Sequence, residues 1–343
     1  MVARRTLLAA AGATAVAAAV AQSRRRADLS GQVALVTGAS RGLGLLIARE
    51  LAGRGCRVVI CARNGEQLSG AASDLAGRGA EVLAVPCDLA DRAQVAGLVT
   101  RAVERFGRLD VVVNNAGIMQ VGPVLQTSAE DYLAAVQVMQ LAPVYLTLEA
   151  LPHLRASGRG RIVNITSIGG KVAVPHLLPY VTAKFGAVGF SQGLHAELAR
   201  HGIRVTTVVP GLMRTGSHLR AGFYDRSGRE FAWFATLASA PLVSMDAERA
   251  ARRIVNAAAA GRAELTLTPL AVVASRAAQL APGLTARALG LLARALPAGT
   301  DGGVPSRTGQ RVAAESPSRL RDAATVWGRR AAQRFQPAAG PPT

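Results

Sequence analysis

Residues 33–44 read VALVTGASRGLG, and this stretch decides the fold of the chain. Its first five residues are apolar or β-branched, which is typical of a strand buried on both faces. Glycines follow at once, and an apolar helical pattern begins at Leu43. Glycines let a backbone approach a pyrophosphate closely, and the free N–H groups at a helix start stabilise its charge. We therefore expect a dinucleotide-binding turn built from Thr37, Gly38, Ser40, Arg41, Gly42, Leu43 and Gly44.

The alternation of short β-branched runs and longer helical stretches continues from Asp28 to about Pro269, as in βαβ units with a parallel sheet. The predicted strands are Val33–Thr37, Arg57–Cys61, Glu81–Val85, Leu109–Val113, Arg161–Ile165, Arg204–Val209 and Glu264–Thr268. The predicted helices are Leu43–Arg54, Glu66–Ala76, Arg92–Phe106, Ala129–Arg155, Val181–Arg200 and Ala247–Ala259. Seven strands with six crossovers predict one α/β domain over residues 28–269, a Rossmann-type doubly wound parallel sheet.

The charge of the chain is unusual, because 40 Lys and Arg stand against 21 Asp and Glu in 343 residues, a formal net charge of +19. Such an excess ordinarily points to nucleic acid or an anionic membrane. All the basic residues except Lys171 and Lys184 are arginine, however, and they are spread along the chain. We interpret them as background composition, and without a helix-turn-helix or zinc motif we expect no nucleic-acid partner.

The three cysteines, Cys56, Cys61 and Cys87, lie in or beside apolar runs. They indicate reduced, buried thiols in a cytoplasmic protein. The five histidines show no ligand spacing with one another or with cysteine, so we expect no metal.

The end of the second predicted strand indicates which dinucleotide is bound. An acidic residue there takes the ribose 2′-hydroxyl of NAD, whereas arginine accommodates the 2′-phosphate of NADP. Here the strand is followed by Ala62 and Arg63, and Arg41 lies in the glycine turn. We therefore expect NADP(H) as the cofactor in preference to NAD(H).

Three side chains predict a catalytic centre. Ser167 follows the strand 161–165, at the edge of the sheet where ligands bind in this fold. Tyr180 and Lys184 are four residues apart and so share one helix face. An ammonium group beside a phenol stabilises its anion, which allows the phenol to transfer a proton near neutral pH.

At this point the sequence resembles the short-chain dehydrogenase/reductase family over about residues 30–270. The matching motifs are Thr37–Gly44, Asp88-Leu89, Asn114-Asn115-Ala116-Gly117, Ser167, Tyr180-x-x-x-Lys184 and Pro210-Gly211-x-x-x-Thr215. The resemblance implies that Tyr180 is the proton donor or acceptor, that Lys184 holds the nicotinamide ribose and lowers the Tyr180 pKa, and that Ser167 orients the substrate oxygen. It also implies a homo-oligomer, and it places further residues at the cofactor: Asp88 and Leu89 at the adenine, Asn114, Ala116 and Gly117 in the cleft, and Pro210, Gly211 and Thr215 along the nicotinamide.

One position departs from the family pattern. Many members have an asparagine in the helix after strand four, and its main-chain carbonyl holds a water of the proton relay. Met139 takes that position here. Pro143, four residues on, has no N–H for the Met139 carbonyl, so either this carbonyl still holds the water or proline simply kinks the helix.

The segment 211–245, where the family places its substrate lid, holds Phe223, Tyr224, Phe231, Trp233 and Phe234. Such a lid favours a sizeable apolar substrate, such as a steroid, polyketide or lipid-like ketone. A dimer contact or ordinary lid packing also explains the aromatics. The residues together predict a carbonyl–alcohol oxidoreductase, and the alternative is a non-catalytic NADP(H) sensor that binds a partner or membrane.

Two extensions flank this domain. Residues 1–27 contain an apolar run between arginines, which fits a secretory or twin-arginine signal, a weak membrane anchor or a surface helix, and we favour the last two. In the extension 270–343, residues 270–296 predict an amphipathic helix, either at a membrane surface or docked on protein. Residues 298–320 predict a flexible linker, and a basic helix is expected over about 322–335.

Overall fold

Seven parallel strands form the central sheet of the computed structural model, which describes residues 28–224, 228–240, 243–298, 305–315, 318 and 325–335. The strands are β1 Val33–Thr37, β2 Arg57–Ala62, β3 Val82–Pro86, β4 Val111–Asn114, β5 Arg161–Ile165, β6 Arg204–Val209 and β7 Glu264–Thr266. Their order across the sheet is β3-β2-β1-β4-β5-β6-β7. The predicted doubly wound, Rossmann-type sheet is confirmed.

Helices cover both faces of this sheet. They are α1 Gly42–Ala52, α2 Gly65–Gly77, α3 Arg92–Phe106, α4 Ala129–Val136, α5 Ala142–Ala156, α6 Leu178–Leu198, α7 Arg229–Ser239, α8 Ala247–Ala260, α9 Pro269–Leu280, α10 Pro282–Ala295, α11 Gly309–Glu315 and α12 Val326–Phe335. Alternate residues of β1 point to opposite faces, as the pleat requires. Ala34 and Val36 pack with α1, α2 and α8, whereas Val33 and Leu35 pack with α3 and α5.

The topology creates a crevice at the carboxyl ends of β1 and β4. The chain winds outward from β1 through β2 to β3, then crosses back to β4 on the other side of β1. Leu35 is in register with Val59 of β2 and Val112 of β4. The loops that follow β1 and β4 therefore diverge, and ligands of doubly wound sheets bind at this point.

A small lid covers this crevice and includes part of the C-terminal extension. Gln120–Val121, Gly222–Phe223 and Arg307–Thr308 form a three-stranded sheet. Val312 of α11 is fully buried in the same cluster as Phe223 and Phe231. The expectation of a flexible linker over 298–320 is therefore wrong for residues 305–315, because strand pairing and the burial of Val312 order them.

The last described helix, α12, packs against both the lid helix α7 and the cofactor-side helix α1. Gly216, at φ +74°, lies so close to α12 that a Cβ there would be 2.5 Å from the Ala332 Cα. Arg334 forms an ion pair of 2.8 Å with Glu248 of α8. The predicted basic helix thus exists over Val326–Phe335, and the expectation for 322–324 lies outside the described residues.

Residues 270–296, expected as one amphipathic helix, form two. Pro282 starts α10 directly after Ala281, so α9 and α10 make a hairpin. The expectations for residues 1–27 lie outside the described residues. Within the part of the chain that the structure describes, only 129–156 is long and apolar enough to cross a membrane, and Leu146 and Leu154 of this stretch pack against the sheet.

Candidate functional site

The start of α1 leaves its N–H groups open to a ligand. The N-cap residue Arg41 makes no side-chain capping bond, and the first turn holds no acidic residue. In contrast, α2, α3, α8 and α9 are each capped by a side chain: Asn64, Asp91, Asp246 and Thr268. An uncapped helix start with free N–H groups is a favourable site for phosphate.

The glycines of the turn are required by its shape. Gly38 has φ +62°, and a Cβ there would lie 2.8 Å from the Ala116 Cα. A Cβ at Gly44 would lie 2.3 Å from the Gly38 carbonyl oxygen. Gly42, at φ +57°, instead has open space on the side where a Cβ would be, apart from Thr215 at 4.0 Å. The turn therefore fits the pyrophosphate of a dinucleotide.

Thr37 ties this turn to the loop after β4. Its Oγ1 accepts hydrogen bonds from the backbone N–H groups of Asn115 (2.9 Å) and Ala116 (3.1 Å). The Asn115 side chain returns a bond of 2.9 Å to the Thr37 carbonyl oxygen. Asn115 lies in the quoted Asn-Asn-Ala-Gly motif, but the sequence did not assign it this role. The two loops of the crevice are thereby held in a fixed relation.

Three arginines, Arg41, Arg63 and Arg220, lie together beside the glycine turn. Arg41 donates a 2.5 Å hydrogen bond to Gln67, and its pKa is lowered by burial and by the positive charges of Arg220 and Arg63. No ion pair with a carboxylate is found for these arginines among the described residues. An unbalanced cationic cluster fits a dianionic phosphate. Sequence reasoning missed Arg220, because nothing in its neighbourhood marks it as a ligand.

The proposed catalytic residues meet at the carboxyl end of β5. Ser167 accepts a 3.0 Å bond from the Gly169 N–H and forms a side-chain hydrogen bond with Tyr180. The Lys184 Nζ donates to the Ile165 carbonyl oxygen at 2.8 Å and lies 5.7 Å from the centre of the Tyr180 ring. The helix α6 thus carries the phenol and the ammonium on the face that borders Ser167.

Burial controls the ionisation of this centre. It raises the pKa of Tyr180, and the hydrogen bond from Ser167 only partly opposes it. It also lowers the pKa of Lys184 to about 8. The lowering of the Tyr180 pKa by Lys184 that the resemblance implied is not found here: burial raises this pKa, and the ammonium lies over the ring and donates to the Ile165 carbonyl oxygen.

A close approach brings the catalytic strand and helix together. A Cβ at Gly170 would lie 2.5 Å from the Lys184 carbonyl oxygen, and one at Gly169 would lie 3.1 Å from the Tyr180 ring. A side chain at either position would separate Tyr180 from Ser167. The two glycines therefore keep Ser167 and Tyr180 in contact, a role that the sequence did not indicate.

The helical segment that joins α4 to α5 widens at the position where the family has asparagine. Residues Gln137–Leu141 form a π-helical turn, in which the Ala142 N–H bonds to the Gln137 carbonyl oxygen. Met139 is buried there, and its sulfur would be 3.4 Å from a Cβ at Gly117. Since Pro143 has no N–H, the widening agrees with the expected disturbance. The water-binding role of the Met139 carbonyl stays a prediction.

One cleft of about 950 Å³ unites nearly all the predicted site residues. Those lining it are Gly38, Ser40, Arg41, Gly42, Leu43, Gly44, Arg63, Asp88, Leu89, Ala116, Gly117, Ser167, Tyr180, Lys184, Pro210, Gly211 and Thr215. Thr37 and Asn114 lie behind the wall, and Asn114 donates a bond of 2.8 Å to Asn164. These two residues hold strands and loops in place.

The aromatic side chains of the lid fall into two groups, one in the core of the lid and one at the cleft. Phe223 and Phe231 are buried in an edge-to-face pair, 5.3 Å between centroids, and so form the core of the lid. Trp233 and Phe234 line the cleft. For the first pair, ordinary lid packing is therefore the correct interpretation, whereas the second pair contributes an apolar surface to the cleft.

A buried polar bridge joins the lid to the loop before Tyr180. The Glu230 carboxylate, almost fully buried, lies 2.6 Å from the His176 Nδ1 and accepts a 2.8 Å bond from the Trp233 indole N–H. His176 has φ +63°, an unusual conformation for a residue with a side chain. Glu230 therefore sets the orientation of Trp233 in the cleft.

The C-terminal extension also reaches the cleft. Leu270, Ala271 and Ala274 of α9 and Leu289 and Leu292 of α10 line one side, together with Ser306. Sequence reasoning left the docking of 270–296 open and assigned none of these residues to the site. Among the described residues, no group of three His, Cys, Asp or Glu side chains is arranged for a metal.

Comparisons with known proteins identify the relatives of this chain. The short chain dehydrogenase family model matches residues 32–221. A Streptomyces violaceoruber protein assigned as a ketoacyl reductase of the granaticin polyketide synthase is 43% identical over 185 residues, which cover 53% of this chain and 68% of the relative. A 3-oxoacyl-[acyl-carrier-protein] reductase of Synechocystis is 37% identical over 189 residues, covering 54% and 76%.

A solved structure shows the same fold. A metagenomic short-chain oxidoreductase in complex with NADP superimposes with a TM-score of 0.58 at 31% identity, covering 71% of this chain and 98% of that structure. The family match ends at residue 221, before α7 and the C-terminal helices. By its motifs, its fold and these matches, the chain belongs to the short-chain dehydrogenase/reductase family of NAD(P)-binding oxidoreductases.

Proposed function

We propose that the chain is an NADP(H)-dependent oxidoreductase that interconverts a carbonyl and a secondary alcohol on an apolar substrate. The observation that carries the proposal is the arrangement of Ser167, Tyr180 and Lys184 on the same cleft as the uncapped start of α1. The bound dinucleotide would deliver or accept the hydride. Retention of all three side chains in one cleft favours an enzyme over the non-catalytic sensor.

In carbonyl reduction, Ser167 would donate a hydrogen bond that orients the substrate oxygen, and Tyr180 would give that oxygen its proton. Burial raises the pKa of Tyr180, so the phenol is protonated at neutral pH and holds the proton that this step transfers. The raised pKa also makes it a weak acid, so the transfer would depend on stabilisation of the phenolate. The Lys184 ammonium would hold the nicotinamide ribose and stabilise the phenolate after transfer. In alcohol oxidation the same residues would act in reverse.

The preference for NADP(H) is supported by the cluster of Arg41, Arg63 and Arg220, which lacks a described carboxylate partner. The related metagenomic enzyme carries NADP. A 2′-phosphate would relieve the mutual repulsion of the three guanidinium groups, whereas a 2′-hydroxyl would not.

The substrate class is supported by the apolar side chains Trp233, Phe234 and Leu289 in the cleft. Relatives named as ketoacyl reductases make 3-ketoacyl thioesters a natural first probe. The family resemblance adds a homo-oligomer, which light scattering tests. Weak membrane association through residues 1–27 is tested by fractionating cells that express the chain with and without them.

The experiment that tests the activity is NADPH oxidation by the Tyr180→Phe variant. Aldehydes, cyclic ketones, ketosteroids and 3-ketoacyl thioesters serve as substrates for the wild-type chain. We expect the variant to lose turnover by about 10²–10⁴-fold while it keeps NADPH binding, because only the proton donor is removed. Tyr145→Phe, on α5 outside the cleft, serves as the matched control. Full turnover by Tyr180→Phe would disprove the assignment.

A further inference from the structure

The α9–α10 hairpin carries an exposed apolar stripe on both of its helices. On α9 the stripe consists of Leu270, Val273, Ala277 and Leu280, and Leu280 is 86% exposed. On α10 it consists of Leu284, Ala288, Leu291 and Ala295, and Leu284 is 68% exposed. In both sets, each residue follows the one before it by three or four positions, which places each set on one helix face. Among the described residues, α10 buries none of its own.

Arginines border these stripes, and acidic residues are missing from the segment. Arg276 lies beside the α9 stripe, and Arg287 and Arg294 lie along one border of the α10 stripe by helical angle. All three are exposed. Residues 265–298 contain no Asp or Glu. An apolar helix face with a basic border is typical of helices that lie in the surface of an anionic membrane.

The other border of the hairpin forms a wall of the substrate cleft. Ala271 and Ala274 of α9 and Leu289 and Leu292 of α10 line the same cleft as Tyr180. Leu292 is both part of this lining and 51% exposed, so the apolar surface continues from the cleft to the outside of the hairpin.

We propose that the α9–α10 hairpin docks this protein on an anionic lipid bilayer, so that the mouth of the cleft faces the lipid. For the passage of substrate this rests on the proposed function: an apolar carbonyl compound dissolved in the bilayer would enter along Leu292 without crossing water. The hairpin surface would bury its leucines among the lipid chains, and its arginines would contact the lipid phosphates.

Charge favours a bilayer over a second copy as the partner of this surface. In a twofold contact the same patch would lie on both sides of the interface. The arginines of one copy would then face those of the other, with no carboxylate of the segment to balance them. Anionic lipid provides the opposite charge.

A fluorophore whose emission depends on polarity tests the surface in the full chain. It is attached at Leu280→Cys and, as the matched control, at Leu125→Cys, since Leu125 is 85% exposed in a turn far along the chain. The native cysteines are buried, and burial raises the pKa of Cys87 to about 11 and that of Cys56 to about 12, so they react little with the label.

We expect the Leu280 label to shift to an apolar emission with phosphatidylcholine vesicles containing phosphatidylglycerol, and the Leu125 label to remain in water. Attachment through residues 1–27 alone would leave both labels in water and would overturn the proposal. An equal shift at both positions would overturn it too, as would a shift at Leu280 without vesicles, which would mean that protein covers the stripe.

A charge variant gives the second readout. Each arginine near the surface contributes about a fivefold gain in vesicle binding, so Arg287→Gln with Arg294→Gln should weaken it by roughly 30-fold. Turnover of a water-soluble carbonyl substrate should stay unchanged, because both side chains lie outside the cleft. Unchanged vesicle binding would refute the docking surface, whereas failure of the wild-type chain to turn over any carbonyl would refute only the proposed function.

Discussion

Replacing Arg220 by Gln should reduce the use of NADPH and leave the use of NADH almost unchanged. Arg220 follows a short helical turn of the lid, and its charge lowers the pKa of Arg41, so the two guanidinium groups are close and repel each other. A 2′-phosphate between them would turn this repulsion into two attractions. NADH carries no charge at that position and would not respond.

The size of the effect follows from burial. A hydrogen bond to a charged group contributes about 1.5–3 kcal/mol, or roughly 10–150-fold in an equilibrium constant. Arg220 is partly exposed, so the lower end applies and we expect about a tenfold loss in kcat/KM for NADPH. Arg41→Gln should cost more because Arg41 lies in the glycine turn itself, at the N-cap of α1, and Arg63→Gln only about one- to fivefold because Arg63 is exposed.

Without cofactor, the same substitution should stabilise the folded protein. Removing one of three like charges should raise the free energy of unfolding by about 0.2–1 kcal/mol. The assay therefore combines kcat/KM for both cofactors with denaturant unfolding of Arg220→Gln, and exposed Arg101→Gln on α3 is the control. An equal loss with NADPH and NADH would refute the reasoning, since it would show that Arg220 only positions the lid. So would a fall in stability without cofactor.

Three further substitutions test the catalytic centre and the lid. Lys184→Met should remove a pH dependence of the free energy of unfolding. Burial lowers the Lys184 pKa to about 8, so between about pH 8 and 10 the unfolded wild-type chain binds more protons than the folded one. Wild type should then gain stability relative to the variant by about 1.4 kcal/mol per pH unit in that window, as measured by denaturant unfolding. Val312→Asp should open the lid to proteolysis and raise KM for an apolar substrate, because it buries a carboxyl group against Phe223. Glu230→Gln should raise that KM by roughly fivefold, with a smaller change in kcat, by weakening the bridge to His176.

Each of these has a result that would contradict it or a matched control. A constant difference in stability between wild type and Lys184→Met from pH 8 to 10 would contradict the lowered pKa of Lys184. Ala314→Asp places the same charge on the exposed side of α11. Equal protease sensitivity of both aspartate variants would therefore argue against the packing of α11 into the lid. Glu197→Gln, on the exposed end of α6, should leave KM unchanged.

The sheet and the cofactor turn were predictable because their signals are local. The run Val33–Thr37 is buried on both faces, so it needs no alternation, and Gly44 is required by its contact with the Gly38 carbonyl oxygen within the same turn. Strand β7 ends at Thr266, two residues earlier than predicted, because Thr268 caps α9. The predicted disturbance at Pro143 also came from a local rule, the missing N–H of proline.

The lid was not predictable in the same way. Its strands at 120–121, 222–223 and 307–308 have two residues each, and their pairing joins segments separated by more than 80 residues, so no short window contains the pattern. Val312 lies in a stretch whose glycine and serine content is typical of a linker. Its burial depends on Phe223 and Phe231, which only the folded chain brings near.

The docking of α11 and α12 has a consequence for synthesis of the protein. A chain that emerges from the ribosome contains all the strands of the sheet and the dinucleotide turn before residues 305–335 appear, since synthesis runs from the N-terminus. Until then Val312 is missing from the lid core and Ala332 from its contact with Gly216. A nascent or truncated chain that ends before residue 305 would thus contain the dinucleotide turn while its cleft was still incomplete.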